Sequence, residues 1–463
     1  MKKILKWTAM AIGAALLGAT AYVALNSFDC EPPDMAIFTN HFDPPSEADN
    51  VYFGLMAAAN VPGEKAGVPA LTSVFSEHEG TWRSIDNHKN DVNAEERDAI
   101  LAEGGKVLSL FHEAVHRKAW CAVDQTSGKR ILFPSISAVI RMCRLVRLNA
   151  ERHLERGEVG LAIEDARDIV LLVRKVEHDA ETAVTGLMAF GVLGCADSIA
   201  MKIVGSGKAT DEELERLQDA LRQFDMAARP ERVQRMLNND FTEFFRQMMD
   251  DMATGQVNIS ASELGECSGF NGLGMCALRI PLVRSYAFQN NRTWTIYANY
   301  LAKVKEGYRL GYDKTAWDKL DEELSAMLDD DGSWCLGPNF VGKRIVKSTI
   351  PAWRAIGEAI ARTSFQHSGV ETVVAAARFK RKSGGFPKAL AELVPEFLQA
   401  VPHDPFASAA EIKYDAERGI VWTVGREGSF NGETVEPRAD GKRAARGKEN
   451  RNYVLNIAGS PAK

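Results

Sequence analysis

A chain of 463 residues with 45% apolar and 25% charged side chains has the make-up of an ordinary globular protein with a real core. Its formal net charge of −6 disfavours a general nucleic-acid binder, which gathers positive charge, so no nucleic-acid partner is expected. The seven cysteines include no C-x-x-C pair, so neither a thioredoxin-like redox site nor a zinc ribbon is signalled.

The N-terminus carries a strong targeting pattern. Lys2, Lys3 and Lys6 precede residues 7–25, which hold no charge, and the next Lys or Arg is Lys65. A basic start, an apolar run and a flank without positive charge is the pattern of export. At ~1.5 Å per residue the run makes a helix of about 28 Å, close to the roughly 30 Å hydrocarbon core. Residues 1–28 are therefore expected to be a signal or anchor segment. As an anchor it holds the protein in the inner membrane through residues 7–25 with its bulk in the periplasm. Ala19-Thr20-Ala21 also fits a small-x-small cleavage site, and cutting after Ala21 would release the chain to the periplasm. Cys30 follows Ser27-Phe28-Asp29, too bulky and acidic for lipid attachment.

Residues 29–92 read as mixed and loop-rich, with Pro32-Pro33 and Pro44-Pro45 as breakers. Residues 93–350 read as an α-helical body. Val139, Met142, Leu145, Val146 and Ala150 recur at helical spacing, as do Ala162, Ile169, Val170, Leu172 and Val173. The turn at Gly157 joins these two runs into a helical hairpin. It has the look of a tetratricopeptide unit, but without a 34-residue period an ordinary αα-hairpin is the better reading. Thr210-Asp-Glu-Glu213 is a capping box that opens the next helix. Cys143 and Cys195 sit among apolar residues and read as small buried hydrophobes. Residues 254–280 are glycine-rich, and Cys267 and Cys276 within them form the candidate disulfide. Helices are expected over Ser285–Gly307, Lys314–Leu328 and Pro351–Arg381.

Residues 351–463 change character: a long helix, a short helix over Lys388–Ala400, a β-hairpin of Glu411–Asp415 with Gly419–Val424, a charged stretch at 433–451, and a last strand at Tyr453–Ile457. The expected fold is mainly α, an antiparallel helical-hairpin body with a small α+β C-terminal cap.

The sharpest chemical motif is His112-Glu113-Ala114-Val115-His116, an HExxH match. On a helix, histidines at i and i+4 can hold one zinc ion while the glutamate polarises a bound water, as in metallopeptidases. Here His112 and His116 are the candidate metal ligands and Glu113 the candidate catalytic base. Arg117 and Lys118 follow directly and would oppose a divalent cation. Glu151 and Glu155 are the acids at hand for a third ligand. The blander reading sets both histidines at the margin of the Leu108, Phe111, Val115 stripe.

Other signals are weaker. No G-x-S-x-G elbow and no Gly-Lys-Ser/Thr phosphate loop occurs. Asp329-Asp330-Asp331-Gly332 lacks calcium-loop spacing and reads as a solvated helix end. Arg141, Arg144, Arg147, Arg152 and Arg156 lie among Glu151, Glu155 and Glu158, the pattern of a salt-bridged surface rather than an anion grip. Trp294, Tyr297 and Tyr300 read as core.

The C-terminal region carries a resemblance. Gly385-Phe386-Pro387, Leu393-Val-Pro395, Pro402-His-Asp404-Pro405-Phe406 and Trp422-Thr-Val424-Gly425 resemble the C-terminal region of the major pseudopilin of type II secretion. That resemblance implies a long helix leading into a small sheet. The leader departs from it: Gly13 and Gly18 are followed by Ala, and no acid occurs before Asp29, so a filament subunit is not expected. The calcium loop of that family meets Glu427, Asn431 and Glu433 here. Over residues 100–430 the order of features, Trp120-Cys121 and the Gly157 hairpin included, resembles uncharacterised exported helical proteins of planctomycete-type bacteria, a resemblance that brings no activity.

The leading functional expectation is a non-enzymatic envelope interaction or scaffold protein facing the periplasm, with an envelope protein as partner and no cofactor. The alternatives are a zinc-dependent metallopeptidase using the motif at 112–116, and an accessory component of a secretion or pilus-like assembly.

Overall fold

The computed structural model describes residues 17–33, 45–63, 68–79, 81–82, 93–122, 135–179, 183–224, 249, 281–309, 312, 314–329, 337–407, 410–426, 428–429 and 454–458. The protein is mainly helical, with one three-stranded sheet near its C-terminus. It divides into two compact units interleaved along the chain: residues 1–40, 241–309 and 315–355 in one, and residues 41–240, 310–314 and 356–463 in the other.

The larger unit is built from helices α1 (Val51–Ala59), α2 (Ala70–Glu77), α3 (Ala94–Val115), α4 (Ile136–Glu155), α5 (Val159–Asp179), α6 (Ala183–Ser206) and α7 (Asp211–Arg222). Two of the starts have a clear local cause. Asn93 accepts from the Glu95 amide at 2.9 Å, and Glu95 and Glu96 in the first turn of α3 favour its positive end. The capping box at α7 is complete: Thr210 Oγ1 accepts from Glu213 N at 3.1 Å, and Glu213 Oε2 from Thr210 N at 2.8 Å. α4 and α5 form the expected hairpin. Gly157 turns it at φ +77°, a left-handed conformation that side-chain-bearing residues adopt only at a cost. The predicted stripes of both helices are buried, from Val139 to Ala150 and from Ala162 to Val173. α3 packs on α4 closely because Gly104 has no side chain: a Cβ there would stand 2.7 Å from a Leu145 methyl. Cys143 and Cys195 are buried, as expected.

α6 is apolar on every side, which marks a buried helix. Its Thr185–Ser206 stretch is long and apolar enough to cross a membrane by length and composition, yet 61% of that window is buried, and α6 packs against α4 and α5. It is also the helix that holds a buried acid, Asp197.

The long helix α8 (Phe340–Ser383) contributes its residues from 356 onward to this unit and leads into the cap. The cap buries Leu390, Leu393, Phe397, Leu398, Ile412, Val421 and Ile457 against Phe365, Ala375 and Ala376 of α8. Its strands β1 (Lys413–Asp415), β2 (Ile420–Trp422) and β3 (Val454–Asn456) pair antiparallel in that order, with Tyr414 opposite Val421 and Val421 opposite Leu455. Asp404 organises the loop before them. Its carboxylate accepts from Phe406 N at 2.9 Å, Val424 N at 2.9 Å and Thr423 Oγ1 at 2.5 Å, and it is 1% exposed.

The smaller unit comprises α9 (Pro281–Ala287), α10 (Asn290–Arg309), most of α11 (Lys314–Asp329) and the first part of α8. Trp294, Tyr297, Tyr300 and Trp317 are buried in it, so the aromatic steps are core as expected. Residues 17–25, the described end of the leader, are helical, with Leu17, Tyr22 and Leu25 exposed. The segment that follows is tied down: Asp29 accepts from the Asn291 and Arg292 amides at 2.6 and 2.9 Å, and Asn26 O accepts from Gln289 Nε2 at 2.6 Å.

Three expectations are corrected. The helix expected over Ser285–Gly307 is two helices. The break at Phe288–Gln289 is fixed from afar by Asn339, whose side-chain Oδ1 accepts from Gln289 N at 2.8 Å and Thr293 Oγ1 at 2.9 Å. The helix expected from Pro351 begins at Phe340, because Val341, Ile345 and Val346 bury the earlier turns. The helix expected over Lys388–Ala400 shrinks to a 3-10 turn at Leu390–Leu393, since Pro395 holds Val394 extended (φ −97°, ψ 137°). The Cys267–Cys276 pair, residues 254–280 and the charged stretch at 433–451 lie outside the described residues.

Candidate functional site

The HExxH motif closes α3, with His116 as its C-cap. Both histidines face α5, where Asp165 and Asp168 stand one turn apart. His112 Nδ1 lies 2.7 Å from Asp168 Oδ2 and His112 Nε2 lies 3.3 Å from Asp165 Oδ1. His116 Nε2 lies 3.2 Å from Asp168 Oδ1. The site grades from dry to wet: Asp165 is 5% exposed, Asp168 8%, His112 32% and His116 52%. Glu113 is exposed and makes no contact with this cluster among the described residues.

α4 closes the other side. Asn149 Nδ2 donates to Asp165 Oδ2 at 3.0 Å and lies 3.1 Å from His153 Nε2, while Arg152 donates to Asn149 Oδ1 at 2.6 Å. His153 Nδ1 sits 2.6 Å from Glu158 Oε2. Carboxylates and imidazoles thus alternate across three helices, from Glu158 through His153, Asp165, His112 and Asp168 to His116.

Three pKa values move here, and one is that of Glu158, whose carboxyl is lowered by its hydrogen bond with His153. Burial pulls the His112 imidazole down, but the hydrogen bond to Asp168 and the charges of Asp165 and Asp168 outweigh it, so its pKa rises above the ordinary histidine value. Burial pushes the Asp165 carboxyl up to about 7, against the pull of His112 and Asn149. His112 can satisfy two carboxylates only by donating from both nitrogens, and the raised value agrees with that protonated state.

The other sequence candidates are placed elsewhere. Glu151 pairs with Lys202 at 2.7 Å and Glu155 with the buried Arg97, so neither reaches the histidines. Arg117 and Lys118 turn away from the site as well: Arg117 donates to the Glu47 and Asn50 carbonyls at 3.3 and 3.4 Å, and Lys118 pairs with Asp49 at 3.0 Å. The Arg-rich helix is knitted into its surroundings, with Arg147 3.9 Å from Glu151 and Arg141 stacked over Phe75 at 5.3 Å. Sequence reasoning missed Asp165 and Asp168. Two acids at i and i+3 beside a buried stripe were the available signal, because a carboxylate on the dry face of a helix calls for a partner.

As a metal site, the cluster supplies ligand types that zinc accepts: two imidazoles and the two oxygens of Asp168. Among the described residues no three such groups converge on one point. As a peptidase site it lacks a base in place, since Glu113 sits outside it.

A second histidine–carboxylate pair is purely internal. His367 of α8 reaches Asp197 of α6 at 2.8 Å through Nδ1 and the Leu221 carbonyl at 3.0 Å through Nε2. Both ring nitrogens are filled by acceptors and both side chains are buried, so the pair ties helices and offers no face to a substrate.

The chain matches no protein-family model, and comparison with curated proteins and with solved structures gives no match either. The functional reading therefore rests on the chain's own residues.

Proposed function

We propose that this protein is a non-enzymatic interaction or scaffold protein of the bacterial envelope, tethered to the inner membrane through residues 7–25 with its helical body in the periplasm. The observation that carries this reading is the state of its one catalytic signature. His112 and His116 are engaged by Asp165 and Asp168 of a neighbouring helix, and Glu113 stands apart in solvent. That arrangement holds α3 to α5 and leaves no poised nucleophile or base. The tether is supported by the lysine-flanked apolar leader and by Leu17 and Leu25, each 74% exposed on its described end. Lipid is the natural cover for such side chains.

One observation favours a second reading. Asp168 brings a carboxylate beside both motif histidines, a ligand type that the metallopeptidase alternative would call on. An accessory role in a secretion or pilus-like assembly rests on the pseudopilin-like sequence of the cap.

Metal analysis of the purified full chain separates the first two readings. The scaffold reading expects no bound zinc. Near-stoichiometric zinc, with peptide hydrolysis abolished by Glu113→Gln, would replace it with the peptidase. For the tether, a reporter fused behind residue 463 should be active only in a form that works outside the cytoplasm. Cytoplasmic activity would remove the envelope assignment.

A further inference from the structure

The larger unit contains a cavity of about 380 Å³ between the end of α6, the start of α7, the end of α8 and the cap. Its walls are apolar, with Ile203, Leu214 and Ile457 buried there and Ala377 beside them. Its mouth carries two exposed cations, Lys380 and Arg381. We propose that this cavity binds a single-chain carboxylic acid, a free fatty acid whose tail lies against Ile203, Leu214, Ala377 and Ile457 and whose head meets Lys380 and Arg381.

The argument rests on how the basic end of α8 is compensated. Arg378 and Lys382 lie outside the cavity lining, and each has carboxylates: Arg378 pairs with Glu215 at 2.8 Å and Asp211 at 3.6 Å, and Lys382 with Glu396. Lys380 and Arg381 line the mouth, and neither has an ion pair among the described residues. The Lys380 ammonium rests over the Phe386 ring at 4.4 Å, and Arg381 donates to the Gly207 carbonyl at 3.3 Å. Glu212 feels the charge of Arg381, but only weakly beside the hydrogen bonds that act on its carboxyl. A helix C-terminus favours basic residues in general. It does not explain why the two that face the cavity are the two left without acids.

The shape selects the class. Ligand cavities run from roughly 300 to 1,000 Å³, and this one lies near the lower bound, a size that suits one acyl chain. A carboxylate head can pair with a guanidinium or an ammonium. The apolar walls supply the hydrophobic part of the affinity.

The test is photolabelling of the full chain in lipid nanodiscs with a dodecanoate that carries a diazirine at its tail. Labelling is expected within residues 203–214 and 377–386, competed by unmodified dodecanoate and about tenfold less by dodecanol, which lacks the charge. The double substitution Lys380→Glu with Arg381→Glu, at exposed positions, should lower this labelling about tenfold while the thermal midpoint falls by only a few degrees, the cost of two acids at a helix C-terminus. Ala377→Leu should reduce labelling by the twelve-carbon acid more than by an eight-carbon one. The proposal is overturned if labelling falls only elsewhere, if dodecanol competes equally, or if the charge reversal leaves it intact.

Discussion

Asp165 is where the polar cluster can be tested one atom at a time. Its folded pKa of about 7 lies above the ordinary 3.8, so folding takes up a proton between those values. Its stabilising contribution is complete below about pH 3.8 and is lost as the pH rises through about 7. Asp165→Asn keeps an oxygen for Asn149 and, once His112 has lost a proton, offers an N–H to its bare Nε2. At pH 8 it should raise stability by on the order of 1 kcal/mol, with the gain vanishing toward pH 4. Thermal melts across that range check it, and a loss at pH 8 would mean the charge itself is needed. His367 titrates with the same sign. Burial pulls its pKa down, but Asp197 and the Leu221 carbonyl outweigh that and raise it. Its contribution is complete below the ordinary value near 6.5 and is lost as the pH passes the higher folded value. His367→Gln strands the buried Asp197 carboxylate and should cost about 3 kcal/mol at pH 6, with the gap narrowing at pH 9, as urea titrations at both values would show.

At the scale of elements, two local devices decide the architecture. Gly157 permits the α4–α5 hairpin through its positive φ, and nothing lies within 4 Å of where its Cβ would be. Gly157→Ala therefore tests the backbone alone, and a loss of about 1 kcal/mol in chemical denaturation is expected. Asp404 does for the cap what strand length cannot, because strands of three residues offer few ladder bonds. Asp404→Ala orphans the Val424 and Phe406 amides and should cost about 2 kcal/mol. Hydrogen exchange should quicken at those amides and through the sheet while α3–α5 keep their protection. Uniform quickening would show that the cap and the bundle open together.

Across the whole molecule, the chain returns twice to the smaller unit, and the residues just after the leader belong to it. Asp29 gives that junction its strength, since it caps α10 from outside its own sequence neighbourhood. Asp29→Ala should cost that helix start about 1 kcal/mol. On the proposed membrane tether, a trace of protease in isolated membranes should then free the body faster than in the native chain. Equal release rates would mean that the junction is held by other contacts.

The sequence by itself determined the helical class, the bundle helices and their buried faces, the Gly157 turn, the capping box at Thr210, the three strands of the cap and the burial of Trp294, Tyr297 and Tyr300. These are local properties: periodicity, caps and turn residues act within about one turn of chain. Only the tertiary structure decided that Asp165 and Asp168 meet the HExxH histidines, that Glu151 and Glu155 do not, and that Arg117 and Lys118 point away. It also placed the start of α10 under Asp29 and Asn339, and set at the mouth of an apolar cavity two cations that have no ion pair among the described residues. Each of these pairings joins residues dozens of positions apart, and such meetings follow from how whole faces pack, which spacing along the chain does not record.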